Sequence, residues 1–303
     1  MSKYTFTGLL LLSGALSAQA ATLTWTDRNA GGSLQQTDTS TSATTRLTST
    51  PNLPDSLAYL PNGSIIYTVN SSSPNAVAIW DGTSNTTFSV GSSSPTAGIR
   101  DITIGPDGNA YSGGFTSGDV YKFDLSTDTV SVFASGLGAV DGLAFGSNGN
   151  LYAVTNSETK VKELDGGTGS VLATSASFTG LDGMTIDGST DTIYVADKTT
   201  GGFLRCDLAL SCGTIATGLF NTPDGIVADG AGGIYVADSG AGKIDLYNIA
   251  GNTSSVVANT PGIDDLAPVA GLGSSSNTPE PGSLLLMGAG LVCLASLSKK
   301  RIS

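Results

Sequence analysis

The chain has 303 residues, 39% hydrophobic and 13% charged, with 41 Gly and a formal net charge of −12. It contains no histidine, which excludes a Ser-His-Asp triad, a Cys-His dyad and any His-ligated zinc site. With 13 Lys and Arg against 25 Asp and Glu there is no basic face for nucleic acid, and so few charges with so much Gly argue against both disorder and a helical bundle.

Residues 1–20 read as a secretory signal peptide. Lys3 precedes the apolar run Leu9-Leu10-Leu11-Leu12, and Ala18-Gln19-Ala20 supplies a small-residue cleavage site. A buried N-terminal helix is the alternative. Three short strand candidates follow, Thr22 to Thr26, Ser33 to Thr37 and Thr44 to Thr48. Across residues 21–278 only Glu158 and Glu163 are Glu. An acidic body built on Asp, whose short side chain bonds nearby backbone N–H groups, points to many short strands joined by tight turns.

The body repeats. Tyr67, Tyr111, Tyr152, Tyr194 and Tyr235 recur at intervals of 41 to 44 residues. Trp80-Asp81, Phe123-Asp124, Leu164-Asp165, Cys206-Asp207 and Tyr247-Asn248 form a second ladder of the same period. One unit shows the anatomy. Asp141 to Phe145 is a short apolar strand, and Asn148-Gly149 marks a hairpin. Leu151 to Val154, Lys160 to Leu164 and Val171 to Thr174 are three further strands. Four strands in about 42 residues make a propeller blade. Five units run from about Pro54 to Thr260. The strand pattern Ile263 to Ala267, joined by the three N-terminal strands, completes a sixth. The expected fold is all-β: a six-bladed propeller over residues 21–270 whose ring the N-terminal strands close. An open β-solenoid of similar period is the alternative. Cys206 and Cys212 sit six apart in an exported body, so a disulfide is expected, two buried thiols being the alternative.

Each unit starts its inner strand with a charged residue facing the central channel: Asp55, Arg100, Asp141, Asp182, Asp224 and Asp264, with Asp101 and Asp265 one step on. Five carboxylates around a narrow mouth repel one another unless a cation, Arg100 or raised pKa values offset them. Candidate metal ligands are therefore Asp141, Asp182, Asp224 and Asp264, with Ca²⁺ or another divalent cation the fitting ion. The other reading is that each Asp caps its own turn. The fifth unit, Thr222-Pro223-Asp224-Gly225-Ile226-Val227-Ala228-Asp229 followed by Gly233-Ile234-Tyr235-Val236-Ala237-Asp238, resembles NHL-repeat propellers and is similar to the senescence-marker-protein/gluconolactonase family. That resemblance implies a six-bladed fold and a divalent metal held by one Glu, two Asn and an Asp. It places the Asp role, and the general base, on Asp224, and one Asn position on Asp141 or Asp182. The chain departs from the family pattern at Arg100, which stands where an Asn ligand is expected. It departs again in the segment Leu53 to Leu57, which has no Glu.

Residues 271–278 form a Gly/Ser-rich linker. Pro279-Glu280-Pro281, the apolar run Gly282 to Leu297 and the basic cluster Lys299-Lys300-Arg301 follow in that order. The run is near the lower length for spanning a bilayer, and the cluster would stay cytoplasmic. This order resembles the PEP-CTERM sorting signal of Gram-negative bacteria, which implies processing by an exosortase-type sorting machinery after transient residence in the inner membrane. An ordinary C-terminal anchor over residues 279–303 is the alternative. The sequence thus points to an exported propeller that binds an envelope or matrix ligand, with a metal-dependent lactonase-type hydrolase as the competing reading.

Overall fold

Gly, Asn and Asp at short intervals leave room only for strands of four to seven residues, and every regular element described is a strand. The computed structural model describes residues 22–29, 31–70, 76–88 and 98–268. The expected signal peptide, linker and sorting segment lie outside these residues. Among the described residues no helix is long and apolar enough to cross a membrane.

The strands in chain order are β1 (Thr22–Asp27), β2 (Ser33–Asp38), β3 (Thr44–Ser49), β4 (Leu53–Tyr59), β5 (Ile65–Asn70), β6 (Ala76–Trp80), β7 (Asn85–Phe88) and β8 (Ile99–Ile104). They continue as β9 (Ala110–Gly114), β10 (Val120–Asp124), β11 (Thr129–Ala134), β12 (Val140–Phe145), β13 (Leu151–Thr155), β14 (Lys160–Leu164), β15 (Val171–Thr174) and β16 (Leu181–Asp187). The last are β17 (Thr192–Asp197), β18 (Gly202–Cys206), β19 (Cys212–Ala216), β20 (Pro223–Ala228), β21 (Gly233–Asp238), β22 (Lys243–Asn248), β23 (Thr253–Asn259) and β24 (Ile263–Pro268). They form six four-stranded antiparallel sheets: blade 1 (β4–β7), blade 2 (β8–β11), blade 3 (β12–β15), blade 4 (β16–β19), blade 5 (β20–β23) and blade 6 (β24-β1-β2-β3). This is the six-bladed propeller the repeat predicts. Blade 6 closes the ring as expected, with Trp25 opposite Leu266 and Thr24 opposite Ala267.

Blades pack face to face, so the hydrophobic core is divided into six, one between each pair of neighbours. Tyr152, Val154 and Val161 of blade 3 meet Leu181, Met184 and Leu204 of blade 4. Trp25 and Leu266 of blade 6 meet Val227 and Tyr235 of blade 5, and Leu34 of blade 6 meets Leu57 and Tyr67 of blade 1. Fully burying one such side chain stabilises by about 1.5–3 kcal/mol, and no blade can bury both faces alone. Cys206 and Cys212 face each other across β18 and β19 and are joined by a disulfide.

At the end of the ring away from the start of the inner strands, Asx turns explain the second sequence ladder. Asp38, Asp81, Asp124 and Asp165 each accept N–H bonds from residues two and three ahead, as Asp38 does from Ser40 and Thr41. Asp207 and Asn248 accept from Ser211 and Gly251 in the same turns of the next two blades. These six residues hold the chain reversals between third and fourth strands.

Two outcomes test this architecture. Removing residues 22–49 leaves β24 unpaired and opens the cores on either side of blade 6; loss of a cooperative calorimetric melt is expected, and a parent-like melt would refute closure. At Gly183 an added Cβ would stand 2.5 Å from the Asp224 carbonyl oxygen of the next inner strand. Gly183→Ala should therefore cost about 1–3 kcal/mol in chemical denaturation.

Candidate functional site

A β-bulge interrupts every innermost strand at the same place. The pairing shifts between Pro54 and Leu57, Ile99 and Ile102, Val140 and Gly142, Leu181 and Met184, and Pro223 and Ile226. In blade 6 it shifts between Trp25 and Asp27, opposite Asp264 and Asp265. The residues released by these bulges are the charged series read from the sequence. A bulge bends the strand and re-aims its side chains, here into the channel mouth.

The first bulge residues form an outer tier: Asp55, Arg100, Asp141, Asp182, Asp224 and Asp264. The second form an inner tier: Ser56, Asp101, Gly142, Gly183, Gly225 and Asp265. The inner tier is split. Blades 6, 1 and 2 are polar there, and blades 3, 4 and 5 carry glycine. In the polar half the Ser56 hydroxyl donates to Asp101 at 2.8 Å, and Asp101 also accepts from the backbone N–H groups of Ile102 and Leu143. The buried Thr26 hydroxyl donates to the Asp55 carbonyl and accepts from the Asp265 N–H. Thr68 accepts from the Ser56 N–H, and Ser112 donates to the carbonyls of Arg100 and Asp101. In the glycine half the inner strands approach one another closely. A Cβ at Gly142 would meet the Asp182 carbonyl at 2.8 Å, and one at Gly225 would meet the Asp265 side chain.

The outer tier is paired from the loops after the second strands. Arg28 bonds Asp55 at 2.8 Å and Asp264 at 3.2 Å, and Arg100 bonds Asp55 at 3.1 Å. Lys198 pairs with Asp182. The Asn156 side-chain amide donates to Asp141 at 3.1 Å, and Phe115 lies under the Arg100 guanidinium, 4.9 Å from ring centroid to Cζ. Asp224 accepts no hydrogen bond among the described residues. The sequence reading found Arg100 but missed Arg28, Phe115, Asn156 and Lys198. Their signal was available: Phe115, Asn156 and Lys198 each stand four residues beyond a repeat tyrosine, and Arg28 three beyond Trp25.

The mouth residues do not cap their own turns in the Asx fashion of the far end. Nor are Asp141, Asp182, Asp224 and Asp264 brought together as a ligand set. Among the described residues no three such groups are placed to hold a metal ion. The physical reason is that Lys198 takes Asp182, Arg28 takes Asp264 and Asp55, and Asn156 takes Asp141, so three of the four candidate carboxylates already face a cation or an amide of the chain itself and only Asp224 is left. Ca²⁺ does not fit this donor set as it stands.

Fold and site together define a six-bladed β-propeller with a mixed-charge channel mouth. Residues 277–301 match the PEP-CTERM protein-sorting motif, so the chain carries an export and sorting signal of the kind exosortase-type machinery processes. No curated protein matches the chain in sequence. Among solved structures it is similar to virginiamycin B lyase from Staphylococcus aureus at 11% identity and TM-score 0.56, covering 67% of this chain and 69% of that one. A chain of the nidogen/laminin complex is similar at 13% identity and TM-score 0.67, over 84% of this chain and all of that one. A protein of unknown function from Bacteroides thetaiotaomicron is similar at 15% identity and TM-score 0.58, over 80% of this chain and 66% of that one. At these identities the likeness establishes the fold alone.

Enclosing seven carboxyl groups with three cations has a titration consequence. Burial pushes Asp224 up to about 7, with Lys198 opposing and Asp55 and Asp141 reinforcing the rise. Burial also raises Asp101 to about 7 against its three hydrogen bonds, and raises Asp141, Asp264 and Asp265 above the usual carboxylate range. Burial works against the charge of Arg100, but Asp55, Asp141, Asp264 and Asp224 together hold it above its ordinary value. A folded chain that keeps protons the unfolded chain has lost is most stable below the unfolded carboxylate pKa and loses that stability as pH rises through about 7. The Asx-turn acids Asp38, Asp81, Asp124 and Asp165 are lowered by their hydrogen bonds and act oppositely below the unfolded value of 3.8. The melting temperature should therefore peak near about pH 4 and fall as the pH rises through about 7. Asp224→Asn, which removes one titrating group without removing a hydrogen bond, should flatten that fall; an unchanged slope would refute the assignment.

Proposed function

We propose that the protein is an exported propeller that works as a binding module, recognising an envelope or matrix ligand through the face that carries the channel mouth. The observation that carries this reading is the pairing of the mouth. Arg28, Arg100 and Lys198 supply the counter-charge that a catalytic metal would otherwise supply. A fixed ring of opposed charges on a rigid scaffold gives a ligand orientation and specificity. In this reading residues 1–20 are removed on export. The C-terminal segment then holds the body at the inner membrane until the exosortase-type machinery acts on it, which delivers residues 21–278 to the cell surface or the surrounding matrix.

Asp224 favours a second reading, a hydrolase or lyase of the same mouth. It is an acid without a hydrogen-bond partner among the described residues, raised to about 7, and so able to take a proton near neutral pH. The propeller fold serves both uses among its neighbours, which include a lyase and a chain of the nidogen/laminin complex.

One experiment separates the two. The purified protein is assayed for hydrolysis of a panel of lactones and for a thermal shift in millimolar Ca²⁺, Mg²⁺ or Mn²⁺, and is used in parallel as bait for envelope extract. The binding reading expects no divalent-dependent turnover and a captured component that Arg100→Glu, which reverses the mouth's charge at one point, releases. Turnover that needs a divalent ion and disappears in Asp224→Asn would replace it with the hydrolase.

A further inference from the structure

Beside the mouth, the second-to-third-strand loops of blades 2 and 3 and the connection between these blades enclose a cleft of about 420 Å³. Phe115, Thr116, Ser117, Gly118, Gly138, Ala139 and Ser157 line it. Its size falls within the range of small-ligand sites. The cleft is held open by backbone bonds that link its walls. The Phe115 N–H donates to the Gly98 carbonyl, the Leu137 N–H to Gly118, and the Asn156 N–H to Ala139. Gly118 and Gly138 both adopt positive φ, +72° and +86°, and let the two loops touch. A Cβ at Gly118 would stand 3.1 Å from the Gly138 nitrogen.

The chemistry of the lining is specific. None of the lining residues is charged, although the ring of carboxylates and cations lies next door and the chain as a whole carries −12; Glu158, beside Gly138, is paired with Lys162 at 2.9 Å. Its aromatic element is Phe115, half-buried, with one face covered by Arg100 and the remaining surface turned to the cleft. Its polar elements are hydroxyls already used as acceptors. Ser157 Oγ accepts the Ala139 N–H at 2.9 Å, and Ser117 Oγ accepts the Asp119 N–H at 3.3 Å. The Tyr121 hydroxyl stands 3.0 Å from Ser117 Oγ and gives its proton to the Asp119 carboxylate at 3.1 Å, so the O–H left to donate to whatever enters is that of Ser157. Thr116 is exposed at the rim. A ligand that fits is uncharged, rich in hydrogen-bond acceptors, and has an apolar face to lay on an aromatic ring. A saccharide answers that description, its hydroxyl and ring oxygens accepting and its C–H face packing on Phe115.

We propose that the cleft between blades 2 and 3 binds a short segment of a neutral glycan, stacked on Phe115 and hydrogen-bonded by Ser157. The proposal rests on the binding-module reading and adds to it the class of ligand and a place on the mouth face outside the charged ring. The test is calorimetric titration of the full chain with neutral pentasaccharides of glucose, xylose and mannose in β and α linkage, with oligogalacturonate as a charged counterpart. At least one neutral pentasaccharide should bind. Phe115→Ala should weaken it roughly tenfold. Thr116→Trp, a rim change that fills the cleft without touching a core, should abolish binding with the melting temperature unchanged. Val256→Thr on the exposed outer strand β23 should leave it intact. Binding of no neutral pentasaccharide, preference for the charged oligomer, or binding that survives both Phe115→Ala and Thr116→Trp would each overturn the proposal. Loss on Asp224→Asn with Phe115→Ala unaffected would move the ligand to the mouth and overturn the cleft while leaving the binding reading in place. Divalent-dependent lactone turnover would end that reading on separate grounds.

Discussion

The pairing of β24 with β1 is the contact on which the rest of the molecule depends. An inner strand from the end of the propeller and three strands from its beginning make one sheet, and that sheet supplies a face to blade 5 and a face to blade 1. Without it two of the six inter-blade cores would open, and the strand edges of blades 1 and 5 would be bare to other chains. The channel would go with them. Part of the outer tier is held by contacts that cross blade boundaries, and the one nearest the closure, Arg28 to Asp55 and Asp264, joins a residue of the N-terminal strands' loop to acids of blades 1 and 6. Ring closure and the integrity of the mouth are therefore one constraint.

The bulges convert that closed ring into a site. A regular inner strand alternates its side chains between the two neighbouring blades and sends none along the channel axis. One extra residue per inner strand breaks the alternation and releases a pair of side chains toward the lumen in every blade. Carboxylates gathered there lose most of their water and face one another across a low-dielectric space, which is costly unless they are paired or protonated. The chain uses both remedies. Arg28, Arg100 and Lys198 pair Asp55, Asp264 and Asp182, and burial lifts Asp101 and Asp224 to about 7 so that they hold protons toward the neutral range. The two remedies are unequally spread: hydroxyl and carboxyl groups fill the inner tier in blades 6, 1 and 2, and bare glycine backbone fills it in blades 3, 4 and 5.

Much of this was legible in the sequence because a repeat states its period many times over. The tyrosine and Asp ladders fixed the blade length, and Thr22 to Thr48 and Ile263 to Ala267 were recognisable as the two parts of one blade. The register of individual hairpins was less legible. Tyr67 lies opposite Leu57, directly after the bulge, whereas Tyr111 lies one pair further along, opposite Thr103. The roles of the aspartates were not separable either. Asp81 and Asp141 belong to the same composition and similar turn-like contexts, but Asp81 ends a third strand and caps a turn, while Asp141 begins an inner strand and faces Asn156. Which end of a strand a residue occupies depends on the fold, and only then does the same side chain become scaffold or site. The partners in the loops were harder to see for a related reason: Arg28, Phe115, Asn156 and Lys198 share no residue type, and only their fixed spacing from the repeat aromatics marks them.

That position explains where specificity enters a symmetrical fold. The tyrosines, the Asx turns and the inter-blade cores recur in every unit because they build the blade, so they cannot distinguish one sector of the face from another. The residues that differ from blade to blade at equivalent places are those the packing leaves free: Arg28, Phe115, Asn156, Lys198 and Ser239 in the loops, and Arg100 among the aspartates of the outer tier. Blade 2 departs furthest, with Arg100 in place of an acid and Phe115 in place of a polar partner, and these two residues stack on each other. An Arg among aspartates relieves repulsion in the ring, and its guanidinium covers an aromatic face that would otherwise lie bare beside the channel. Phe115 also lines the neighbouring cleft, so the step that balances the mouth's charge also leaves an aromatic side chain at that side of it.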